Sequence, residues 1–212
     1  MATVTLEQFL PEVLLECHGV PSPVAINAVR NACYDFCRDS LLWSETQDPV
    51  AYAAGEATYQ LDPATDAQIL TVITLNIDQK QTIYPWILED VAAARPGWAS
   101  DRGVISGFIQ VQPDTIVLIA VPDSAGTFTP TVAYAPTRSA GSVDARLYNQ
   151  HLETIKYGAL WKLKMMAGQP WADPAGASYY ENHFWMGVGA ATIERNRGNS
   201  RAAMRVAPRP FI

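Results

Sequence analysis

The spacing of apolar residues changes along this 212-residue chain, and the change limits the folds that it can adopt. Near the N-terminus apolar side chains recur every three or four positions, as at Ile26, Val29 and Cys33. Such spacing places them on one face of a helix. Across residues 44–138 apolar side chains instead alternate with polar ones, and the helical spacing returns afterwards. The sequence therefore predicts an α+β fold, with helices at both ends and antiparallel sheet between them.

The alternation is clearest around residue 70. Five side chains are predicted to point to one side of a strand: Ile69, Thr71, Ile73, Leu75 and Ile77. Four others are predicted to point to the opposite side: Val72, Thr74, Asn76 and Asp78. Residues 115–121 are apolar on both faces, which predicts a strand that is covered on both sides. A short helix is expected at Leu88–Ala94 within this region.

Capping residues indicate where the helices begin. Thr5 is predicted to open a capping box, and Ser22 is predicted to cap a longer helix. Ser142 is predicted to cap a helix that extends to about Met166, and Asp173 to cap the last helix. A proline follows Asp173 at the first helical position, where its missing N–H has no cost.

The last helix carries two neighbouring apolar faces. One is predicted to contain Ala177, Tyr180, Phe184, Val188 and Ala191. The other is predicted to contain Tyr179, His183, Met186, Ala190 and Ile193. Together they are wider than a helix resting on one core requires, so this helix is expected to contact two partners. Gly187 and Gly189 each cost a helix about 1 kcal/mol relative to Ala, which is tolerable where another backbone comes close.

These patterns divide the chain into four parts. Residues 1–43 and 139–198 are expected to form the N-terminal and C-terminal helices of one bundle. Residues 44–138 are expected to form an inserted antiparallel β subdomain. Residues 199–212 are expected to form an extended C-terminal arm, because two prolines near its end disfavour a helix.

Charge is distributed unevenly between the arm and the rest of the chain. The whole chain carries 15 basic and 21 acidic residues. Its last nineteen residues hold five arginines and one acid, so the 193 residues before them hold 10 basic and 20 acidic residues. A basic tail on an acidic body is suited to bind an acidic surface on another protein or on a second copy. The alternative is a solvated chain end.

The sequence contains no motif that calls for catalysis, a cofactor or a membrane. No apolar run approaches the roughly 20 residues that a membrane helix needs, and the N-terminus does not resemble a signal peptide. The three histidines, His18, His151 and His183, are the candidates for an imidazole base, but no nucleophile motif or glycine-rich phosphate loop accompanies them. We therefore expect a protein without a reaction or cofactor of its own.

Four groups could in principle ligate zinc: Cys17, His18, Cys33 and Cys37. Their spacing matches no standard zinc finger or ribbon. Cys33 and Cys37 also lie in the apolar stripe of their predicted helix. We therefore expect buried cysteines that act as small apolar side chains, and no metal.

Several segments at both ends of the chain carry a resemblance to a known family. At the N-terminal end they are LEQFLPEV at residues 6–13, ACYDFCR at 32–38 and the pair Leu42-Trp43. At the C-terminal end they are YGAL at residues 157–160, GQPW at 168–171, the segment 180–184, ERNRG at 194–198 and RVAPRPF at 205–211. Together these segments resemble the head-to-tail adaptor (connector) proteins of tailed bacteriophages.

This resemblance implies a structural virion protein. It would assemble in the host cytoplasm into a homo-oligomeric ring, commonly of twelve copies, at the head-tail junction beneath the portal. The ring would extend the DNA channel, let DNA pass without sequence-specific binding, and give the tail or nozzle proteins their platform. The C-terminal arm would reach the portal through six residues: Arg201, Arg205, Val206, Arg209, Phe211 and Ile212.

A closed ring joins one face of each copy to a different face of the next. On the last helix, Tyr179, His183 and Met186 are the candidates for this subunit contact, with packing inside their own core as the alternative.

Two other functions stay open. The arginine-rich tail could serve a nucleic-acid-binding accessory protein, whose affinity would fall steeply with salt. An enzyme with a dispersed site among the strands would instead show a deep pocket with two convergent titratable groups.

Overall fold

The computed structural model describes residues 2–198, and its elements follow the predicted order of helices, sheet and helices. This part of the chain contains a 3₁₀ helix at Leu6–Phe9 and five α-helices: α1 at Leu10–Leu14, α2 at Ser22–Ser40, α3 at Leu88–Ala94, α4 at Ala145–Lys164 and α5 at Pro174–Arg197. It contains twelve strands: β1 at Thr3–Thr5, β2 at Ser44–Thr46, β3 at Val50–Tyr52, β4 at Thr58–Gln60, β5 at Ala67–Ile77, β6 at Gln81–Ile83, β7 at Arg102–Gly103, β8 at Gly107–Gln112, β9 at Thr115–Ile119, β10 at Val121–Pro122, β11 at Gly126–Pro136 and β12 at Ser142–Asp144. The predicted α+β class is confirmed, and α3 has the predicted bounds.

The three long helices α2, α4 and α5 pack against one another. All three helices come close together at Gly158 of α4. A Cβ atom at this position would lie 2.7 Å from the ring of Phe184 on α5 and 2.9 Å from the Cβ of Ala32 on α2. Nearby, the ammonium of Lys162 on α4 lies 2.6 Å from a carboxylate oxygen of Asp35 on α2. The absence of a side chain at Gly158 therefore lets the three helices meet.

Strand β11 is the centre of the larger sheet. It pairs along its length with β5, and on its other side with β2 and β3, in each case antiparallel. A second antiparallel sheet has the order β4-β9-β8. The ring of Phe128 on β11 lies 5.3 Å from that of Tyr59 on β4, so side chains of the two sheets pack together. The predicted antiparallel pattern is confirmed, with one two-residue parallel pair, β7 with β10, beside it.

The helices and the two larger sheets share one hydrophobic core. Its largest side chains come from both kinds of element: Phe9, Phe36, Phe108, Phe128, Tyr134 and Phe184. Helix α2 packs directly on β11. A separate small cluster of Val91, Ile109 and Ile119 lies beneath α3. Residues 44–138 thus bury much of their apolar surface against the helices as well as within their own strands.

Two bulges in β5 overturn the predicted strict alternation. Leu70 and Ile73 have no partner on β11, and the register of pairing shifts at each of them. An extra residue in a strand turns the following side chains to the other face. As a result Val72 is buried together with Ile69, while Thr71 and Ile73 are only partly buried. The bulges depend on how β5 meets β11, which the local pattern does not contain.

Strand β9 is shorter and less covered than predicted for residues 115–121. It ends at Ile119, because Ala120 adopts the left-handed conformation with φ at +70°. Ile116 and Leu118 are buried on one side, whereas Val117 on the other side is only partly buried. The prediction of a strand covered on both faces is therefore wrong at Val117.

Three of the four predicted helix caps are wrong. Thr5 ends β1 at the N-cap position of a short 3₁₀ helix, Leu6–Phe9, but its side chain makes no capping hydrogen bond. Ser142 of β12 pairs with Thr5 and lies before the N-cap of α4. Ser22 lies inside α2, which has Pro21 at its N-cap and no side-chain cap. The β1–β12 pair joins residues about 140 positions apart, a contact that local rules do not predict.

The remaining cap is confirmed, and α4 has a cap of its own. The Asp173 carboxylate accepts a hydrogen bond of 3.0 Å from the N–H of Gly176 at the start of α5. At α4 the buried Asp144 takes this role, accepting a hydrogen bond of 2.7 Å from the N–H of Arg146. Both satisfy N–H groups that a helix leaves without internal partners.

A buried histidine interrupts α4. His151 has the non-helical angles φ −126° and ψ 18°, and its ring lies 5.0 Å from that of Phe36. Its Nε2 lies 3.8 Å from a carboxylate oxygen of Glu194 on α5 and has no hydrogen-bond partner among the described residues. Burial lowers the pKa of His151 below 6.5; Glu194 opposes this shift and Arg146 adds to it.

We expect the substitution His151→Phe to flatten the dependence of stability on pH. In the unfolded chain His151 binds a proton near the ordinary histidine pKa, whereas in the folded protein it binds that proton only at a lower pH. Wild-type stability is therefore lost as the pH falls below about 6.5, by at most about 1.4 kcal/mol per pH unit. Urea unfolding at pH values of about 7.5 and 5.5 measures this loss. The exposed His18 provides the control variant His18→Gln, which should behave as the wild type; an unchanged loss in His151→Phe would contradict the assignment.

Candidate interaction surface

Helix α5 is covered on one face only. Its buried residues are Ala177, Phe184, Val188 and Ala191, all on the first predicted face. The residues of the opposite side recur at helical spacing and are exposed: Tyr179, Asn182, Met186, Ala190, Ile193 and Arg197. We call these six residues the α5 face. Met186 is 72% exposed and Tyr179 is 55% exposed, so neither of them lies in the core of its own chain.

An aromatic cluster holds one end of the α5 face in place. The rings of Tyr179 and His183 lie 4.1 Å apart, and the ring of His183 lies 5.4 Å from that of Tyr157 on α4. The Nδ1 of His183 lies 2.8 Å from the carbonyl oxygen of Tyr179, to which it can only donate. His183 is half-buried and supports Tyr179. Met186 lies about one turn after His183 and is exposed.

Two glycines of α5 have different surroundings. At Gly187 an added Cβ would collide with the side chain of Thr154 on α4. At Gly189 an added Cβ would meet nothing within 4 Å. Gly187 therefore serves packing within the chain, as the sequence suggested for both. Gly189 leaves the backbone of α5 open to solvent beside Ala190, where another molecule can approach closely.

A second exposed apolar surface lies at the start of α3 and in the residues just before it. We call its four large side chains, Tyr84, Trp86, Ile87 and Leu88, the apolar strap. The strap is anchored to β8: the backbone N–H of Trp86 donates to the carbonyl oxygen of Phe108 at 2.8 Å. The Trp86 ring also covers Gly107, where any Cβ would collide with it. This surface was not predicted from the sequence. The run of four large apolar residues within residues 84–88 was the one feature that could have pointed to it.

A notch of about 120 Å³ opens beside the apolar strap. Its lining is mainly apolar, with two polar residues: Trp86, Val91, Ala94, Arg95, Ser106 and Ile119. Ile119 and Val91 belong to the small core beneath α3. The notch is large enough for part of one side chain and too small for a cofactor.

An acidic groove of about 410 Å³ lies elsewhere, between the loop after β2 and the loop before β5. It carries the carboxylates of Glu45, Asp48 and Asp62. Its lining contains neither His nor Cys, so it offers no imidazole base and no thiol nucleophile. The amide of Gln47 donates to the Asp62 carbonyl oxygen at 2.7 Å and to the Tyr134 hydroxyl at 2.8 Å, which holds the two loops together.

The cysteines lie in the core. Cys17, Cys33 and Cys37 are buried, and burial raises the pKa of all three thiols. Residues 2–198 contain no group of three or more His, Cys, Asp or Glu side chains arranged to hold a metal ion. No helix in this part of the chain is long and apolar enough to cross a membrane.

The six predicted arm contacts, Arg201, Arg205, Val206, Arg209, Phe211 and Ile212, lie outside the described residues. The structure does describe where the arm begins, at the end of α5 beside Gly198. Comparison of the sequence with protein-family models and with curated proteins finds no match.

Proposed function

We propose that this protein is a structural virion protein of a tailed bacteriophage, a head-to-tail adaptor that forms a ring under the portal. The ring extends the DNA channel and carries the tail. The observation that best supports this function is the α5 face, an exposed apolar surface on a long helix that leads directly into a basic arm. Monomeric proteins rarely expose contiguous apolar patches unless a partner covers them.

In this proposal the helices of residues 1–43 and 139–198 form the bundle that builds the ring. Residues 44–138 are an inserted β subdomain that shares the core of the bundle. Tyr179 and Met186 of the α5 face contact the neighbouring copy, and His183 holds Tyr179 in position for that contact. Tyr and Met are both frequent at the centres of protein interfaces. A ring contact joins two different faces, so the α5 face of one copy contacts a different surface of the next copy.

The arm supplies the contact with the portal. Three arginines, Arg201, Arg205 and Arg209, present planar guanidinium groups that bind carboxylates in pairs of hydrogen bonds. Up to twelve arms on one ring act together, so that modest single contacts combine into durable attachment. The acidic body suits a channel through which DNA slides, because its surplus of carboxylates repels phosphate.

The test of this function is assembly of the purified full chain on portal rings of the same virus. We expect cosedimentation in a fixed ratio and, in electron micrographs, an added ring below the portal. A chain that stays in the supernatant at all ratios contradicts the proposed function. Binding to duplex DNA that falls steeply with salt, without portal binding, would instead favour the nucleic-acid-binding alternative.

We expect Met186→Glu to reduce ring formation at least tenfold, because a buried unpaired charge at the centre of an apolar contact is costly. Met165 is a matched control: it is also an exposed methionine, 54% accessible, but it follows α4 and lies off the α5 face. Met165→Glu should assemble as the wild type does. Both variants should keep their melting temperature, since each side chain is exposed. Equal assembly by the two variants would remove Met186 from the subunit contact.

A further inference from the structure

The described chain has two separate apolar surfaces, and only one has a role in the proposed ring. Twelve large apolar side chains are exposed within residues 2–198. Four belong to the apolar strap and three to the α5 face, so seven of the twelve fall on these two surfaces. The two surfaces share no element: α5 packs on α2 and α4, whereas the strap is bound to β8. A surface of this composition is expected to have an occupant.

We infer that the apolar strap and its notch receive the α5 face of the neighbouring copy, which makes the strap the second half of the subunit contact. This inference rests on the proposed ring. A ring needs two unlike surfaces that fit each other, whereas a surface that fits itself produces a closed dimer. The α5 face is one side of a helix, whereas the strap borders a notch, and both surfaces are largely apolar.

Shape supports this pairing. Met186 projects from the α5 face, and the small residues Gly189 and Ala190 beside it let the helix backbone come close to another surface. On the opposite side the notch next to Trp86 admits one narrow side chain. Methionine is unbranched and flexible, so it fills irregular apolar gaps, and its sulfur makes favourable contacts with aromatic rings. Met186 of one copy therefore fits the notch of the next.

Charge supports the same pairing. Arg197 lies on the α5 face at its C-terminal end. The strap is followed directly by Glu89 and Asp90 in the first turn of α3, and both are exposed. The α5 face therefore carries a basic residue at one end, and the strap is bordered by two carboxylates, so the two surfaces carry charges of opposite sign. Opposite charges at the rim of an interface set its register and exclude other arrangements.

Cysteine cross-linking on the assembled ring tests the inference. Ile87 of the strap is 67% exposed and Ala190 of the α5 face is also exposed, so cysteines placed there are accessible. The three native cysteines are buried and should not react. The double variant Ile87→Cys with Ala190→Cys is bound to portal rings and treated with a short bis-maleimide. We expect a ladder of covalent products that reaches the full ring.

Controls make each outcome decisive. Either single variant should give no covalent product, and neither should Ala190→Cys combined with Leu15→Cys, which places the second thiol at an exposed apolar site outside the strap. Dimers from Ile87→Cys alone would show that strap meets strap, and dimers from Ala190→Cys alone that α5 meets α5; both results overturn the inference. A double variant that binds portal rings but yields no ladder also overturns it and leaves the adaptor function standing. Failure of the wild-type chain to bind portal rings overturns the adaptor function itself.

Discussion

Deletion of residues 200–212 should abolish binding to portal rings while leaving the body of the protein folded. Among the described residues the shared core extends to Ala191, and α5 ends at Arg197, so the deletion removes no described core side chain. It removes three of the five arginines in the basic tail together with Phe211 and Ile212. Because many arms act together on one ring, we expect affinity to fall by roughly a hundredfold or more. Cosedimentation measures the binding, and thermal unfolding checks that the melting temperature stays within a degree or so of the wild type.

Substitutions in the full-length chain separate charge from length. Arg201, Arg205 and Arg209 changed together to Glu should weaken docking about as much as the deletion does. The matched control changes the same three residues to Lys, which keeps the charge but loses the planar fork that binds carboxylates in pairs. This control should retain intermediate binding. Full binding by the deletion variant or by the Glu variant would show that the arm does not dock the portal.

Gly158→Ala should destabilise the protein, whereas Gly189→Ala should stabilise it. Both positions are glycines inside helices, so each substitution gains about 1 kcal/mol of helix propensity. Only at Gly158 does the new methyl group meet rigid neighbours, the Phe184 ring at 2.7 Å and the Ala32 Cβ at 2.9 Å. Overpacking of this kind costs roughly 1–3 kcal/mol. The common propensity gain cancels between the two variants, so their difference in unfolding free energy measures the steric cost alone.

Urea unfolding of the two variants side by side gives that difference. A value of roughly 1–3 kcal/mol is expected, with Gly189→Ala the more stable. Equal stabilities would mean that α2, α4 and α5 do not meet at Gly158. Gly187→Ala should behave like Gly158→Ala, since its methyl group would collide with Thr154.

Much of the helical structure could be predicted from local rules. Asp173 followed by Pro174 carries the signals of a helix start, and the structure begins α5 there. The spacing of Val29, Cys33 and Phe36 indicated which side of α2 is buried, and all three are fully buried. These features depend on neighbours within one or two turns, which is the range over which capping and amphipathic spacing act.

The candidate site was only half predictable. The second apolar face of α5 was predicted as a contact, and the structure leaves Tyr179 and Met186 exposed there. The apolar strap was not predicted, because a run such as Tyr84-Pro85-Trp86-Ile87-Leu88 is equally typical of a buried segment. Periodicity shows that a side is apolar, but it does not show whether another part of the chain covers it.

The succession of helices and strands, the start of α5 and its two apolar faces could all be inferred from the amino-acid sequence, since each follows from residues close together in the chain. Three features became visible only in the folded protein: Thr5 pairs with Ser142, bulges at Leu70 and Ile73 turn Val72 into the core, and the α5 face and the strap stay uncovered. Those outcomes depend on contacts between residues far apart in sequence. Such contacts are selected by the shape and area that the whole chain buries, and a local pattern does not contain that information.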